Sequence, residues 1–263
     1  MTVARRGIVT LWPPLAAFFV LLAIWEAYAR LVLGATPASE RLLPAPTRIV
    51  EKLAANAGII APHAAQTALE TALGFTLALL AGIGFALVME WSDLARRAIY
   101  PLLVVSQTIP ITSIAPLLVL WFSYGLLPKV LVVGLVCFFP IVVAGADGLR
   151  STEPDLIRLF RTFGASPWTI LRRARFPNAL PSLFSGIRIA STYAVTGAIW
   201  GEYVGADEGL GIYMRRNQNV GETALVFSAI LVIAVLSMAL FLLVTLVERL
   251  LIPWHFAGRT GKK

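Results

Sequence analysis

Long apolar runs alternate with short polar ones along the chain. Six runs, at about 11 to 33, 67 to 89, 98 to 123, 126 to 148, 183 to 204 and 224 to 248, carry few interruptions. A hydrocarbon core about 30 Å thick takes about 20 apolar residues per helix, so each run can span a bilayer. The pattern predicts an all-α, polytopic membrane protein with one membrane domain over 11 to 250, between a short N-terminal segment 1 to 10 and a tail 251 to 263. The first run is too long and too aromatic for a cleaved signal, so it is read as a retained helix.

The longest polar interruption, 149 to 182, has an order of its own. Glu153-Pro154-Asp155 opens an amphipathic stretch carrying Arg158 and Arg161 and reaching Phe163. Gly164-Ala165-Ser166-Pro167-Trp168 follows, then Arg172, Arg173 and Arg175, and finally Pro177 and Pro181. Pro154 suits a first helical turn, the flanking carboxylates complement the positive end of the helix, and Gly164 suits its termination. The reading is helix, turn, helix on a membrane surface. Pro44-Ala45-Pro46-Thr47 similarly introduces a short amphipathic helix along the outer membrane surface; a plain spacer reads equally well there.

Composition narrows the class. The chain is 58% hydrophobic and 14% charged, against roughly 25% charged in soluble domains, which argues for a bilayer as solvent. A net charge of +8 could suggest nucleic acid, but the basic residues cluster beside apolar spans instead of sharing one wet face. With the N-terminus inside, the cytoplasmic side collects Arg5, Arg6, Arg96, Arg97, Arg150, Arg158, Arg161, Arg172, Arg173, Arg175, Arg249, Arg259, Lys262 and Lys263. The outer side collects Arg41, Arg48, Lys52, Lys129, Arg215 and Arg216, and Arg30 and Arg188 lie within spans. Cationic loops resist translocation, so both termini and the 149 to 182 island are expected in the cytoplasm. Cys137 is the sole cysteine, which excludes an intrachain disulfide and a cysteine metal cluster.

Polar residues inside the spans are the candidate pathway. The third span carries Gln107, Thr108, Thr112 and Ser113 between and beside Pro110 and Pro116. Proline frees carbonyls that must be met by protein or water, so this stretch is expected to face a cavity, or else to be a kink whose hydroxyls bond back to their own helix. The fifth span adds Ser191, Tyr193, Thr196 and Glu202, while Gly197, Gly201 and Gly205 recur every four residues as a packing face. Glu70 and Glu202 are each read either as transport groups or as paired carboxylates close to an interface. No phosphate loop, HExxH or GxSxG is present, so neither a nucleotide site nor an intramembrane enzyme is encoded.

Gly164-Ala165-Ser166 nine residues after Asp155, then Pro177 and Asn178-Ala179-Leu180-Pro181 leading into Gly186-Ile187-Arg188, resembles the EAA loop of ABC importer permeases. Pro110 through Pro116, Trp121-Phe122-Ser123-Tyr124-Gly125, and Gly201-Glu202-Tyr203-Val204 with Gly209-Leu210-Gly211 extend the resemblance to the nitrate, sulfonate and taurine type, over roughly residues 40 to 250. Phe138-Phe139-Pro140-Ile141-Val142-Val143 and the 205 to 211 stretch look most like permeases for thiamine-pyrimidine precursors and riboflavin. The acidic residue and alanine pair that name the loop fall at Arg158, Leu159 and Phe160, so only its Gly and Pro framework matches.

That resemblance implies the type I importer permease fold in an inner membrane and a chain that performs no chemistry of its own. It implies three partners: a cytoplasmic ABC ATPase dimer that binds the ATP, an extracytoplasmic binding protein received by loops 34 to 62 and 205 to 222, and a second copy of the chain. No cofactor and no metal are implied for the permease itself. Glu153, Asp155, Arg158, Arg161, Gly164, Ala165, Ser166, Pro177 and Pro181 would form the ATPase-coupling loop. The solute would be a thiamine-pyrimidine precursor or riboflavin-like heterocycle, or alternatively a sulfonate, taurine or nitrate. An ion-coupled secondary transporter or channel is the alternative from another class.

Overall fold

The expected apolar runs fall on helix, except where residues 107–110 break the third. The computed structural model describes residues 3–34 and 42–254; Arg41, His255 and the rest of the tail from 255 onward lie outside the described residues. In chain order the helices are α1 Val3–Ala27, closing in a π-turn Tyr28–Val32, α2 Pro46–Ala55, α3 Ala57–Trp91, α4 Asp93–Ser106, α5 Ile111–Phe122 and α6 Leu126–Arg150. Then come α7 Pro154–Thr162 and α8 Pro167–Ile170, the latter passing through a second π-turn, Leu171–Arg175, into α9 Phe176–Gly205. The order ends with α10 Leu210–Val220 and α11 Thr223–Leu251. No strand occurs among the described residues.

Among the described residues, four stretches are long and apolar enough to cross a membrane: Trp12–Val32, Ala57–Trp91, Leu126–Arg150 and Thr223–Leu251. The expected third span is two helices, α4 and α5, which meet at 102° and count as one more crossing only if taken together. Pro110 causes the break: it cannot donate to the preceding turn, and its extended backbone (φ −62°, ψ 129°) caps α5 instead. The carbonyls freed around the break are met locally, by the Ser106 hydroxyl on Leu103 O at 2.7 Å and the Thr108 hydroxyl on Val105 O at 2.8 Å. Helix α9, which holds the expected fifth span, has ample length, but Ser185, Arg188, Thr192 and Glu202 dilute its apolar character.

The chain clusters into two compact units. In the first, Met1–Pro62 with Tyr213–Val232, the Glu26 carboxylate joins Arg30 and the Thr47 hydroxyl (2.7 Å). Trp25 packs on Phe227 at 5.7 Å, and the Ser228 hydroxyl donates to Ile49 O at 3.0 Å, so α2 is tied to both α1 and α11.

The second unit, His63–Ile212 with Ile233–Lys263, holds the main core. There α9 lies along α6, burying Leu183, Phe184, Ile187, Ala190, Ala194 and Ala198 against Val133, Cys137 and Ile141, with Phe75 and Ala78 of α3 joining them. In lipid the drive is close packing, because tails are as apolar as leucine, and small residues permit it. A Cβ placed on Gly197 would stand 3.2 Å from Val133 Cα, and one on Gly201 3.0 Å from Lys129 Cα. Gly186, facing Pro140 O and the Ala144 methyl, has no room for a Cβ at all. Gly186→Ala is therefore expected to force α6 and α9 apart at a cost of about 1–3 kcal/mol, read as a lowered melting temperature in detergent. An unchanged melting temperature would show that the pair yields freely there.

Candidate functional site

The polar island folds as a helical knob and a return arm. Glu153 and Pro154 start α7, with Asp155 in its first turn and Arg161 in its last. It ends in a Schellman motif: Gly164 takes φ +72°, Gly164 N–H donates to Arg161 O at 2.9 Å and Ala165 N–H to Phe160 O at 3.0 Å. Ser166 then caps α8, its hydroxyl accepting from Thr169 N–H at 3.3 Å, with Pro167 in the first turn. Pro177 occupies the first turn of α9 and Pro181 lies within it, so both prolines belong to that helix and not to a loop. Asn178 reaches back to the hydroxyls of Ser151 (3.1 Å) and Thr152 (3.3 Å), closing the base of the knob.

No residue of α7 is buried. Leu156, Leu159 and Phe163, spaced to share one helical face, are exposed, Phe163 to 81%. Beside them Arg158 pairs with Asp155 at 3.0 Å in open solvent, a pair of little energetic worth. A short polar helix with an uncovered apolar stripe is the arrangement of a surface that meets another protein.

A cavity of about 1050 Å³ lies in the second unit where α4 breaks from α5, bounded by α6 and α9. Of the candidate pathway residues, Gln107 and Tyr193 line it. Ser106, which opens the same polar stretch of the third span, lines it too, as do Ser182 and Ser185, not singled out from the sequence, and Phe85, Phe138 and Phe139. Ser182, Ser185, Ile189 and Tyr193 share one face of α9 at helical spacing, which is the signal that could have found them. No Asp, Glu, Lys, Arg or His is among its lining residues. Thr108, Thr112, Ser113 and Thr196 are exposed outside its lining. Ser191 is buried and bonded to Arg188 O at 2.7 Å.

Glu202 is also buried, in a polar cluster the sequence did not reveal. Three successive amides at the start of α10 are caught by side chains: Gly209 N–H by His63 Nδ1 (3.0 Å), Leu210 N–H by Thr67 Oγ1 (2.9 Å) and Gly211 N–H by Glu202 Oε2 (2.5 Å). Thr67 Oγ1 also lies 2.6 Å from Glu202 Oε1. This gives the separated Gly201-Glu202 and Gly209-Leu210-Gly211 segments one physical purpose, since a Cβ at Gly209 (φ +128°) would strike the Glu202 carboxylate. Nearby, Glu70 accepts from Lys129 Nζ at 2.7 Å and Gln66 Nε2 at 2.8 Å. Lys129, counted from the sequence among the cations of the outer side, is a buried residue in the first turn of α6, where Glu70 gives its ammonium a partner. Arg188 likewise meets the buried Glu248 of α11 at 3.2 Å.

Residues 74–253 match the family model described as binding-protein-dependent transport system inner membrane component. The chain is 38% identical to the formylaminopyrimidine transport permease protein ThiX of Halalkalibacterium halodurans, over 92% of this chain and 95% of that one. It is 35% identical to the riboflavin transport system permease protein RibX of Chloroflexus aurantiacus, over 93% and 91%. With the taurine transport system permease protein TauC of Escherichia coli the identity is 30%, over 90% and 87%. Among solved structures, an inward facing conformation of the MetNI methionine ABC transporter superposes with a TM-score of 0.64 at 18% identity, over 74% of this chain and 96% of that one. The helical order, the knob between α6 and α9 and these matches together make the chain a member of the binding-protein-dependent transport system inner membrane components, the ABC importer permeases of type I fold.

Proposed function

We propose that the chain is the permease half of an importer in which two copies form the passage, a cytoplasmic ATPase dimer grips α7 of each, and an external binding protein delivers an uncharged heterocycle. The cation distribution supports a cytoplasmic placement of α7 and both termini. The ATPase would cover the exposed Leu156, Leu159 and Phe163 stripe, and its closure around ATP would swing the knob and so the helices beyond it. Gln107, Tyr193 and the cavity serines would line part of the route, with Glu202 holding the α10 loop that faces the binding protein.

The substrate reading rests on one observation, the absence of charged side chains from the cavity lining. An anion such as a sulfonate would enter without a counter-charge, at a desolvation cost that apolar walls cannot offset. A planar neutral ring can stack on Phe or Tyr and take hydrogen bonds from Ser and Gln. Relatives whose names specify formylaminopyrimidine and riboflavin transport fit the same chemistry. The test is uptake by the permease, ATPase and binding protein together in proteoliposomes, offered formylaminopyrimidine, riboflavin or taurine. ATP-dependent accumulation of a heterocycle and not of taurine is expected; accumulation of taurine alone would overturn the reading.

A further inference from the structure

We infer that Glu90 is a positioning residue that passes movement of the knob into the membrane helices, by clamping Arg175 of the return arm to the end of α3. The inference rests on the reading that α7 receives the ATPase. Glu90 stands in the last turn of α3, where the unpaired carbonyls of the helix end already carry partial negative charge, so a carboxylate there works against its own helix. Its side chain is only 4% exposed and so also forgoes most of its hydration. Both penalties require a cation. Arg175 supplies it through Nη1 on Oε1, from the π-turn that links α8 to α9. Arg150, at the end of α6, stands 4.0 Å from Oε2 and is itself paired with Asp93 at the start of α4. The ends of α3, α4 and α6 and the return arm thus converge on one buried carboxylate.

Uncharged hydrogen bonds from Asn178 to Ser151 and Thr152 hold the base of the knob, and other contacts near it are exposed. The Trp91–Trp168 stack, 6.1 Å between rings, is more than half exposed at both residues, and the Asp155–Arg158 pair lies wholly within α7 in open water. Glu90 is nearly buried and Arg175 is 28% exposed, so their attraction is screened less than that of the Asp155–Arg158 pair in open water, and it joins the return arm directly to the end of α3. The crevice lined by Glu90, Ile157, Arg161 and Arg175 leaves the underside of α7 loosely packed, while Leu171 of the arm is packed with Met89 and Leu149 in the core.

The experiment uses the complete importer in proteoliposomes, with ATP hydrolysis and solute uptake measured together. A cysteine crosslink from Phe163→Cys to the ATPase reports docking. Glu90→Gln is expected to retain the ATPase, the crosslink and basal hydrolysis, while solute moved per ATP falls about tenfold. The charge swap Glu90→Arg with Arg175→Glu is expected to restore most of that ratio, which a merely space-filling role would not. A normal crosslink with an unchanged uptake-to-hydrolysis ratio in Glu90→Gln overturns the clamp alone; no crosslink in the otherwise native importer overturns the docking reading and the clamp with it. Should Glu90→Gln fail to assemble, the swap decides: an assembled swap that remains uncoupled also overturns the clamp.

Discussion

Lys129→Met is expected to cost the folded permease about 3–5 kcal/mol, the penalty for removing one member of a buried ion pair. Lys129 Nζ lies 2.7 Å from Glu70 Oε1, with 7% and 0% of the two side chains exposed. Gln66 and the neighbouring Glu202 carboxyl would then be left facing Glu70 without the ammonium. Methionine keeps the length of the lysine stem, so the loss isolates charge from packing. The same region sets the approach of α9 through Gly201 and anchors the α10 amides through Glu202. Unfolding of the purified permease in mixed detergent micelles, followed by tryptophan fluorescence, measures the effect. Lys129→Met combined with Glu70→Met should recover most of the loss, because a buried ion pair exchanged for well-packed apolar groups is often close to neutral. A double variant as weak as the single one would show that the pair itself is not what holds this end together.

That pair also marks where sequence reading stops. Apolar runs set by the bilayer announce the helices, and local chemistry announces the knob, because Pro154, Asp155, Gly164 and Ser166 act within a turn or two of themselves. The Pro110 break was legible as a distortion but not as a 102° change of direction, which depends on how the carbonyls around it are met. Lys129 and Glu70 lie 59 positions apart and Glu202 and Thr67 135 apart, and periodicity reports which face is covered, never by what. Glu90 was invisible for the same reason: at the end of an apolar run it reads as an interfacial charge, and only the folded return arm brings Arg175 to it. Of the cavity serines, Ser182 falls at the end of the polar island, where two prolines hide the start of α9, and Ser185 just inside the fifth apolar run, where one hydroxyl among apolar residues gives no sign of a cavity.

Gly164→Val is expected to leave membrane insertion and overall stability nearly intact while separating ATP hydrolysis from uptake. The residue sits at φ +72°, a conformation that costs a β-branched side chain about 1–2 kcal/mol. Nothing lies within 4 Å of a Cβ built there, so the penalty is purely one of backbone conformation and falls on the turn, not on the bundle. Escaping it means giving up the hydrogen bonds from Gly164 and Ala165 to Arg161 and Phe160, which re-aims α8 and the arm leading to Arg175. The knob would still present Leu156 and Leu159 to a partner, but its motion would no longer be delivered at the right angle to α9. Gly164→Asn is the control, because asparagine enters the left-handed region at much lower cost and should keep most of the coupling. In proteoliposomes the Val variant should hydrolyse ATP with uptake reduced about tenfold or more and the Asn variant should approach the native ratio; equal transport by both would mean that the turn at Gly164 does not direct the force.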